Sequence, residues 1–387
     1  MPPRQPPTDQ RRQVGEVARL FLKLGCIGFG GPAAHIALMR DEVVTRRAWV
    51  SEQEFLDLVG ACNLVPGPNS TELAVHLGLS RAGWRGFIAA ACGFILPAVA
   101  IVLTIAVLYD RYGTTPTALN LSYGIVPVIV AIVAHAVVAL GRTAVKDVQL
   151  GLVMLASTVL WLVGVSELLL LIGGAALTVA WQQRHRLGTG AAGALMWLPL
   201  GGRGRYATVA SSDPDLLRLG LVFLKIGAVL YGSGYVLVSF LERDLVDRLG
   251  WLTERQLLDA VAIGQFTPGP VFTTATFVGY QVAGFGGAAV ATIAIFAPAF
   301  VFVALLSRIT PVIRRSVWAG SALDGVNAAS MGLMAAAAVR LADSAFVDPL
   351  TSMLGAAALA VLLWRRPNTA WLVAAGALVG LAHGAVS

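Results

Sequence analysis

The sequence predicts an all-α polytopic membrane protein made of two homologous repeats, inverted relative to each other and carrying Gly/Pro-broken helices. Three observations lead there. The 387 residues are 57% hydrophobic and only 13% charged, against about 25% charged in an average soluble chain. The block Phe21–Thr71 recurs in one ungapped register at Phe223–Thr273, every pair 202 positions apart. Finally, Arg and Lys collect on opposite sets of loops in the two halves, as inverted repeats require under the positive-inside rule.

The register is dense. Phe21-Leu22-Lys23 matches Phe223-Leu224-Lys225, Gly25 and Gly30 match Gly227 and Gly232, and Trp49, Glu52 and Leu56-Asp57 match Trp251, Glu254 and Leu258-Asp259. Pro66-Gly67-Pro68 returns intact as Pro268-Gly269-Pro270. One residue is then lost, after which Gly78, Gly83 and Pro97 find Gly279, Gly284 and Pro298. The resulting domain plan is a polar cytoplasmic amino terminus (1–14), a first repeat (15–182), a linker (183–215) and a second repeat (216–387). The amino terminus is Pro-rich and basic and has no apolar core with a cleavage site, so it does not read as a secretory signal.

In the first repeat the apolar runs after the broken segments are Ala82–Leu108, Tyr123–Leu140, Leu150–Val163 and Glu167–Trp181. Their partners are Ala283–Leu306, Gly325–Leu341, Leu350–Trp364 and Ala370–His383. Most are long enough to cross, or nearly cross, a hydrocarbon core of about 30 Å at about 1.5 Å per residue. None shows the alternating ten-residue pattern of an outer-membrane barrel. Phe21–Met39 and Phe55–Leu79 read as spans or as re-entrant segments.

Loop charge sets the orientation. Arg81 and Arg85, Arg142 and Lys146, and Arg184 and Arg186 follow the second, fourth and sixth segments of the first repeat. In the second repeat the basic residues shift to the alternate loops, with Arg308, Arg314 and Arg315, then Arg365 and Arg366. Opposed repeats need an odd number of crossings between them, and the short apolar stretch Gly188–Gly202 is the candidate extra span.

Two motifs carry the chemistry. One is Gly28-Phe29-Gly30-Gly31-Pro32, with Tyr231-Gly232-Ser233-Gly234 as its weaker partner; small residues here serve a ligand or close helix packing. The other is the repeated Pro-Gly-Pro, which removes two amide donors and lets a glycine leave helical dihedrals. Polar backbone at membrane depth survives only where it is buried in protein or lines a wet cavity. The restarted half-helix presents its N–H groups and positive dipole end, an anion site in waiting. Asn69, Ser70, Thr71 and Glu72 follow the first break and Thr273, Thr274 and Thr276 the second. Their polar groups can complete an oxyanion's hydrogen bonds or simply cap the half-helix.

Lys23 and Lys225, just inside the first apolar segment of each half, either raise the positive potential of the path or snorkel to the interface. Glu72 is a candidate for a coupling proton, ahead of His35 and His76; a structural hydrogen bond is the alternative. Asp57 and Asp259, with Glu52 and Glu254 upstream, read as helix caps or partners of Arg46 and Arg248. Cys26, Cys62 and Cys92 read as buried free thiols. No metal-ligand spacing, phosphate-binding loop or catalytic triad occurs, so no cofactor, no metal and no catalytic residue is expected. The charge of +7 is spread over short loops, which argues against a nucleic-acid partner.

Phe21-Leu22-Lys23-Leu24-Gly25, Phe29-Gly30-Gly31-Pro32, the Trp49 connector and Pro66-Gly67-Pro68 together resemble the chromate ion transporter family in its two-domain, long-chain form. The likeness covers essentially the whole chain, although the second half departs from the Phe29–Pro32 pattern and lacks the Asn69-Ser70 pair. The resemblance implies a multi-pass protein of the bacterial inner membrane that expels chromate and confers chromate resistance, with sulfate as a related tetrahedral oxyanion. The expected mechanism is alternating access by a secondary carrier. Substrate would be held by Gly30, Gly31, Pro66, Gly67, Pro68, Asn69, Ser70, Thr71, Gly232, Pro268, Gly269, Pro270, Thr273 and Thr274, with Lys23 and Lys225 nearby and Glu72 for coupling. The alternatives are an anion channel, or a carrier of sulfate or another anion, using the same broken-helix site. An enzyme acting on the oxyanion is a third and weaker reading. Besides the bilayer and the anion, a homodimer is a candidate assembly.

Overall fold

The computed structural model describes residues 7–28, 31–62, 65–182, 215–231, 236–313, 317–365 and 369–386. Among the described residues every regular element is helical. The first repeat holds α1 (Pro7–Ile27), α2 (Gly31–Arg40), a wide-turned connector (Asp41–Arg46), α3 (Glu52–Cys62), α4 (Asn69–Tyr112), α5 (Pro116–Ala144), α6 (Val148–Leu162) and α7 (Glu167–Gln182). The second holds α8 (Leu216–Val229), α9 (Leu237–Leu241), a second wide-turned connector (Glu242–Arg248), α10 (Glu254–Phe266), a 3-10 turn (Val271–Thr273), α11 (Thr274–Ile313), α12 (Val317–Ala345), α13 (Pro349–Arg365) and α14 (Thr369–Val386).

Local sequence explains the starts. Thr253 and Gln256 form a reciprocal capping box at α10, and the repeat mates Ser51 and Glu54 exchange the same pair of bonds at α3. Each satisfies amide donors that a helix start leaves orphaned. Capping therefore falls to Ser51 and Thr253, not to the aspartates expected above. Asp147 caps α6, and Thr115 followed by Pro116 starts α5.

The long α4 is not one rod. At Ala82 (φ −138°, ψ 22°) and Gly83 (φ 62°, ψ −153°) the chain folds back on itself. A Cβ on Gly78 would stand 2.7 Å from Ala90 Cβ, whereas twelve residues of straight helix span about 18 Å. α11 does the same at Ala283 and Gly284, with Gly279 against Ala291. The loss of one residue from the repeat register leaves this hairpin intact. Gly86→Val, whose side chain would run into the Gly78 carbonyl, should therefore prevent closure, since backbone cannot yield as a side chain can. Gly83→Ala meets open space and should cost only the dihedral strain, roughly 1–3 kcal/mol. Melting curves of the two variants in detergent check this ordering.

The repeats interlock. α1 lies on the second limb of α4, where a Cβ on Gly25 would come 2.7 Å from the Gly93 carbonyl, and α8 lies on α11 in the same way through Gly227 and Ile295. The short pair α6 and α7 packs on α12 of the other repeat, through Gly174 against Gly325 and Gly332 against Met154. Reciprocally, α13 and α14 pack on α5, with Gly124 against Gly376. Glycines permit these close helix approaches, as in other membrane bundles. One continuous core joins Val102, Ile129 and Val133 of the first repeat to Phe223, Phe277 and Met334 of the second.

The outer surface is apolar. Leu152, Leu155, Leu177 and Ile293 are exposed, and Trp84, Trp181, Trp318, Trp364 and Trp371 stand exposed at helix ends or turns, where interfacial aromatics belong. Among the described residues four helices are long and apolar enough to cross a membrane: α4, α5, the 271–305 stretch and α12. The other apolar helices, α6, α7, α13 and α14, are shorter, in line with the shorter apolar runs of the sequence. α6 has 15 residues, about 22 Å, because Asp147 caps one end and Gly164 (φ 101°) follows the other. The candidate linker span Gly188–Gly202 lies outside the described residues.

Candidate functional site

Both Pro-Gly-Pro segments interrupt helices as the sequence requires. Gly67 has φ 141° and Gly269 φ 90°, values that favour glycine over any L side chain. Pro68 and Pro270 are extended and open the next helix or 3-10 turn. The Gly67 N–H donates to the Leu230 carbonyl at 2.9 Å, and the Gly269 N–H donates to the Gly28 carbonyl at 2.9 Å. Leu230 and Gly28 are repeat mates just beyond α8 and α1, so each break is fastened to the other repeat. Their flanks are reciprocal too, with Gly67 near Ala299 and Gly269 near Ala98. His35 Nε2 lies 2.8 Å from the same Gly28 carbonyl, so that nitrogen is the donor, and the ring stands edge-on to Phe94.

The two half-helix starts differ in their side chains. After the second break, the Thr273 hydroxyl donates to the Pro270 carbonyl and Thr274 to the Val271 carbonyl, each at 2.8 Å. Thr273 and Thr274 are therefore not the free anion donors expected, because their protons are held within their own turn. After the first break, Thr71 Oγ1, both Glu72 carboxyl oxygens and His76 Nε2 are buried without a hydrogen-bond partner among the described residues. Thr71 and Glu72 are completely buried. The mates of Glu72 and His76 are Thr274 and Val278. One backbone design thus carries unsatisfied polar groups in one repeat and satisfied or apolar groups in the other.

The Glu72 carboxyl lies against Gly67, and Cys62 at the end of α3 and Tyr231 after α8 are close enough to feel its charge. Tyr231 also lines, with Pro66, Leu168, Leu171 and Ala322, an apolar cavity of about 610 Å³ between α7, α8 and α12. Pro66 is half-buried, Asn69 opens α4 half-buried, and Ser70, Pro268 and Pro270 are buried. Gly31 (φ 76°) begins α2. Gly30 and Gly232 lie outside the described residues.

Lys23 and Lys225 are not free charges on an anion path. Lys23 Nζ binds Glu42 Oε1 at 2.7 Å, and Lys225 binds the repeat mate Asp244. Arg46 and Arg248 join the same carboxylates instead of Glu52, Glu254 or Asp259; Glu52 takes Arg40, and the Asp57 side chain lies outside the described ones. Asp259 accepts from Tyr109 at 2.6 Å and Ser122 at 2.9 Å. All three cysteines are free, but Cys26 and Cys92 are exposed and only Cys62 is buried. The sequence carried a missed signal for the ion pairs, since an acidic residue follows each lysine by 19 positions in both repeats.

Lys23 foremost, with Arg47 assisting against the opposing effect of burial, holds the Glu42 carboxyl below the usual carboxylate range. A depressed folded-state value means this pairing stabilises the protein at neutral pH and is lost as pH falls through that value. Lys23→Gln should destabilise by about 1–3 kcal/mol by leaving Glu42 short of its main partner. Adding Glu42→Gln should cost less than the sum of the two single changes, as a double-mutant cycle on thermal stability would show.

The chromate transporter family model matches residues 15–179 and again 217–381, the same 202-position shift that relates the two breaks. The chain belongs to the chromate transporter family. Members of that family are transport proteins and not enzymes. This chromate transporter homologue is similar to a probable chromate transport protein of Synechococcus elongatus, at 33% identity over 89% of the chain and 88% of the relative. It is also similar to the chromate transport protein of Cupriavidus metallidurans, at 32% over 97% and 94%, and to that of Pseudomonas aeruginosa, at 30% over 84% and 80%. No solved structure matches it.

Proposed function

We propose that this family member is a secondary carrier that exports chromate across a bacterial inner membrane, binding it at the restarted half-helix after Pro68. The carrying observation is the set of completely buried, unpartnered polar groups on Thr71 and Glu72, beside a helix start whose dipole favours an anion. Such groups are costly to leave unsatisfied, and a bound oxyanion supplies the missing partners. The second break, with its hydroxyls engaged, acts as the structural counterpart that clasps the Gly28 end of α1.

Alternating access suits this arrangement because residues 70–78 are all buried, so a substrate held there needs the surrounding helices to move before it can leave. The reciprocal clasps have the two-fold relation that paired repeats require, and the alternation of loop charge supports the inverted form. Export of a dianion from a cytoplasm at negative potential gains about 2.3 kcal/mol per charge per 100 mV. Radiolabelled chromate uptake into everted vesicles tests the reading. Saturable uptake with counterflow is expected, whereas unitary channel currents, or no uptake by correctly inserted protein, would reject it.

A further inference from the structure

The buried carboxyl of Glu72 poses a problem that the anion reading alone does not solve. A carboxylate beside a divalent oxyanion is strongly repulsive in a water-poor site, and among the described residues no cation pairs with Glu72. The titratable groups facing it are Cys62 from α3, Tyr231 from the segment after α8 and, one helical turn along its own helix, His76. None of these brings a fixed positive charge. The second repeat shows that the backbone does not need the carboxyl, for Thr274 fills the same place and closes its own hydrogen bond.

We propose that Glu72 selects the oxyanion by its proton: the site takes one oxyanion together with one proton, held between the Glu72 carboxyl and an oxyanion oxygen. This rests on the chromate-carrier reading above. Proton and charge balance either way. Carboxylate meets hydrogen chromate and accepts its O–H, or protonated Glu72 donates to chromate; the bound pair carries the same total charge and no bond other than O–H changes. The Thr71 hydroxyl donates to a second oxyanion oxygen, and His76 Nε2, buried and unpartnered, is the next station for the proton when the oxyanion leaves.

The consequence is discrimination between two anions of the same shape and charge. Hydrogen chromate gives up its proton near neutral pH, so chromate shares one readily with a carboxyl. Hydrogen sulfate does so only in strong acid, so sulfate is too weak a base to share. A buried polar site that loses such a hydrogen bond discriminates by roughly ten- to a hundredfold. The proton also lowers the net charge moved per oxyanion from two to one.

The test uses the full-length protein in proteoliposomes, with inorganic chromate and sulfate as probes at several pH values. For the wild type, chromate should be preferred roughly ten- to a hundredfold over sulfate, and electrical recording against isotope flux should give about one net negative charge per chromate. Glu72→Gln cannot exchange a proton, so its residual chromate flux should lose its pH dependence and most of its preference over sulfate. Glu72→Asp, which keeps the proton, should restore part of both. Two charges per chromate in the wild type would overturn the proposal without any variant having to fold. So would a Glu72→Gln protein with unchanged pH profile and selectivity. Absence of chromate flux in the wild type would instead reject the carrier reading on which the proposal stands.

Discussion

Gly67→Ala should abolish transport and lower stability. At φ 141° an alanine is strained by roughly 1–3 kcal/mol. Its Cβ would also run into the Glu72 carboxyl and stand 3.2 Å from Ala299. Both neighbours are buried, so overpacking adds about 1–3 kcal/mol. Moving the loop to relieve these contacts would pull the Gly67 N–H from Leu230 and undo the clasp between repeats. Gly269→Ala, at φ 90° and 2.6 Å from Ala98, should destabilise similarly while leaving the groups around Glu72 in place. Flux per inserted molecule, measured with thermal stability, separates the two: the Gly67 variant should lose more flux than its loss of stability explains.

Thr71→Val carries the second large effect. It keeps the shape and removes one buried hydroxyl that has no partner among the described residues. If that hydroxyl donates to a charged oxyanion, about 1.5–3 kcal/mol is lost on binding, a fall of roughly ten- to a hundredfold in apparent affinity for chromate. Stability of the empty protein should hold or rise, because an unsatisfied buried group has been removed. Thr273→Val and Thr274→Val should do the reverse. Each breaks a bond to a carbonyl in its own turn and should cost about 1 kcal/mol of stability, without a comparable loss of affinity.

Much of the fold was legible because it rests on local rules written twice. The Pro-Gly-Pro breaks and the glycine at the α4 and α11 turns are backbone requirements, and the repeat displayed them in register. The positions of the long helices followed from apolar length. What remained hidden depended on contacts between distant segments. That α6 and α7 would pack on α12 while α13 and α14 pack on α5 has no sequence period. The short α6 was itself legible, since its apolar run Leu150–Val163 is bounded by Asp147 and Gly164.

The candidate site shows the same division. The sequence pointed to the residues after each break, but it could not tell which hydroxyls were already spent. Thr273 and Thr71 are repeat mates of one residue type, and only the fold shows that one hydroxyl reaches the Pro270 carbonyl while the other reaches nothing. The lysines misled for a related reason. Lys23 and Lys225 looked like free charge near the path because their counter-ions lie 19 residues further on, in the connectors Asp41–Arg46 and Glu242–Arg248.

The most direct test of the first break as the oxyanion site is the chromate-dependent thermal shift of purified protein. It should compare the wild type with Thr71→Val and Thr273→Val. At a hundredfold excess over its dissociation constant a ligand stabilises by about 2.7 kcal/mol. Wild type and Thr273→Val should therefore gain a clear rise in melting temperature with chromate, and Thr71→Val about half of that rise or less at the same concentration. An undiminished shift in Thr71→Val, or a shift lost only in Thr273→Val, would contradict the account.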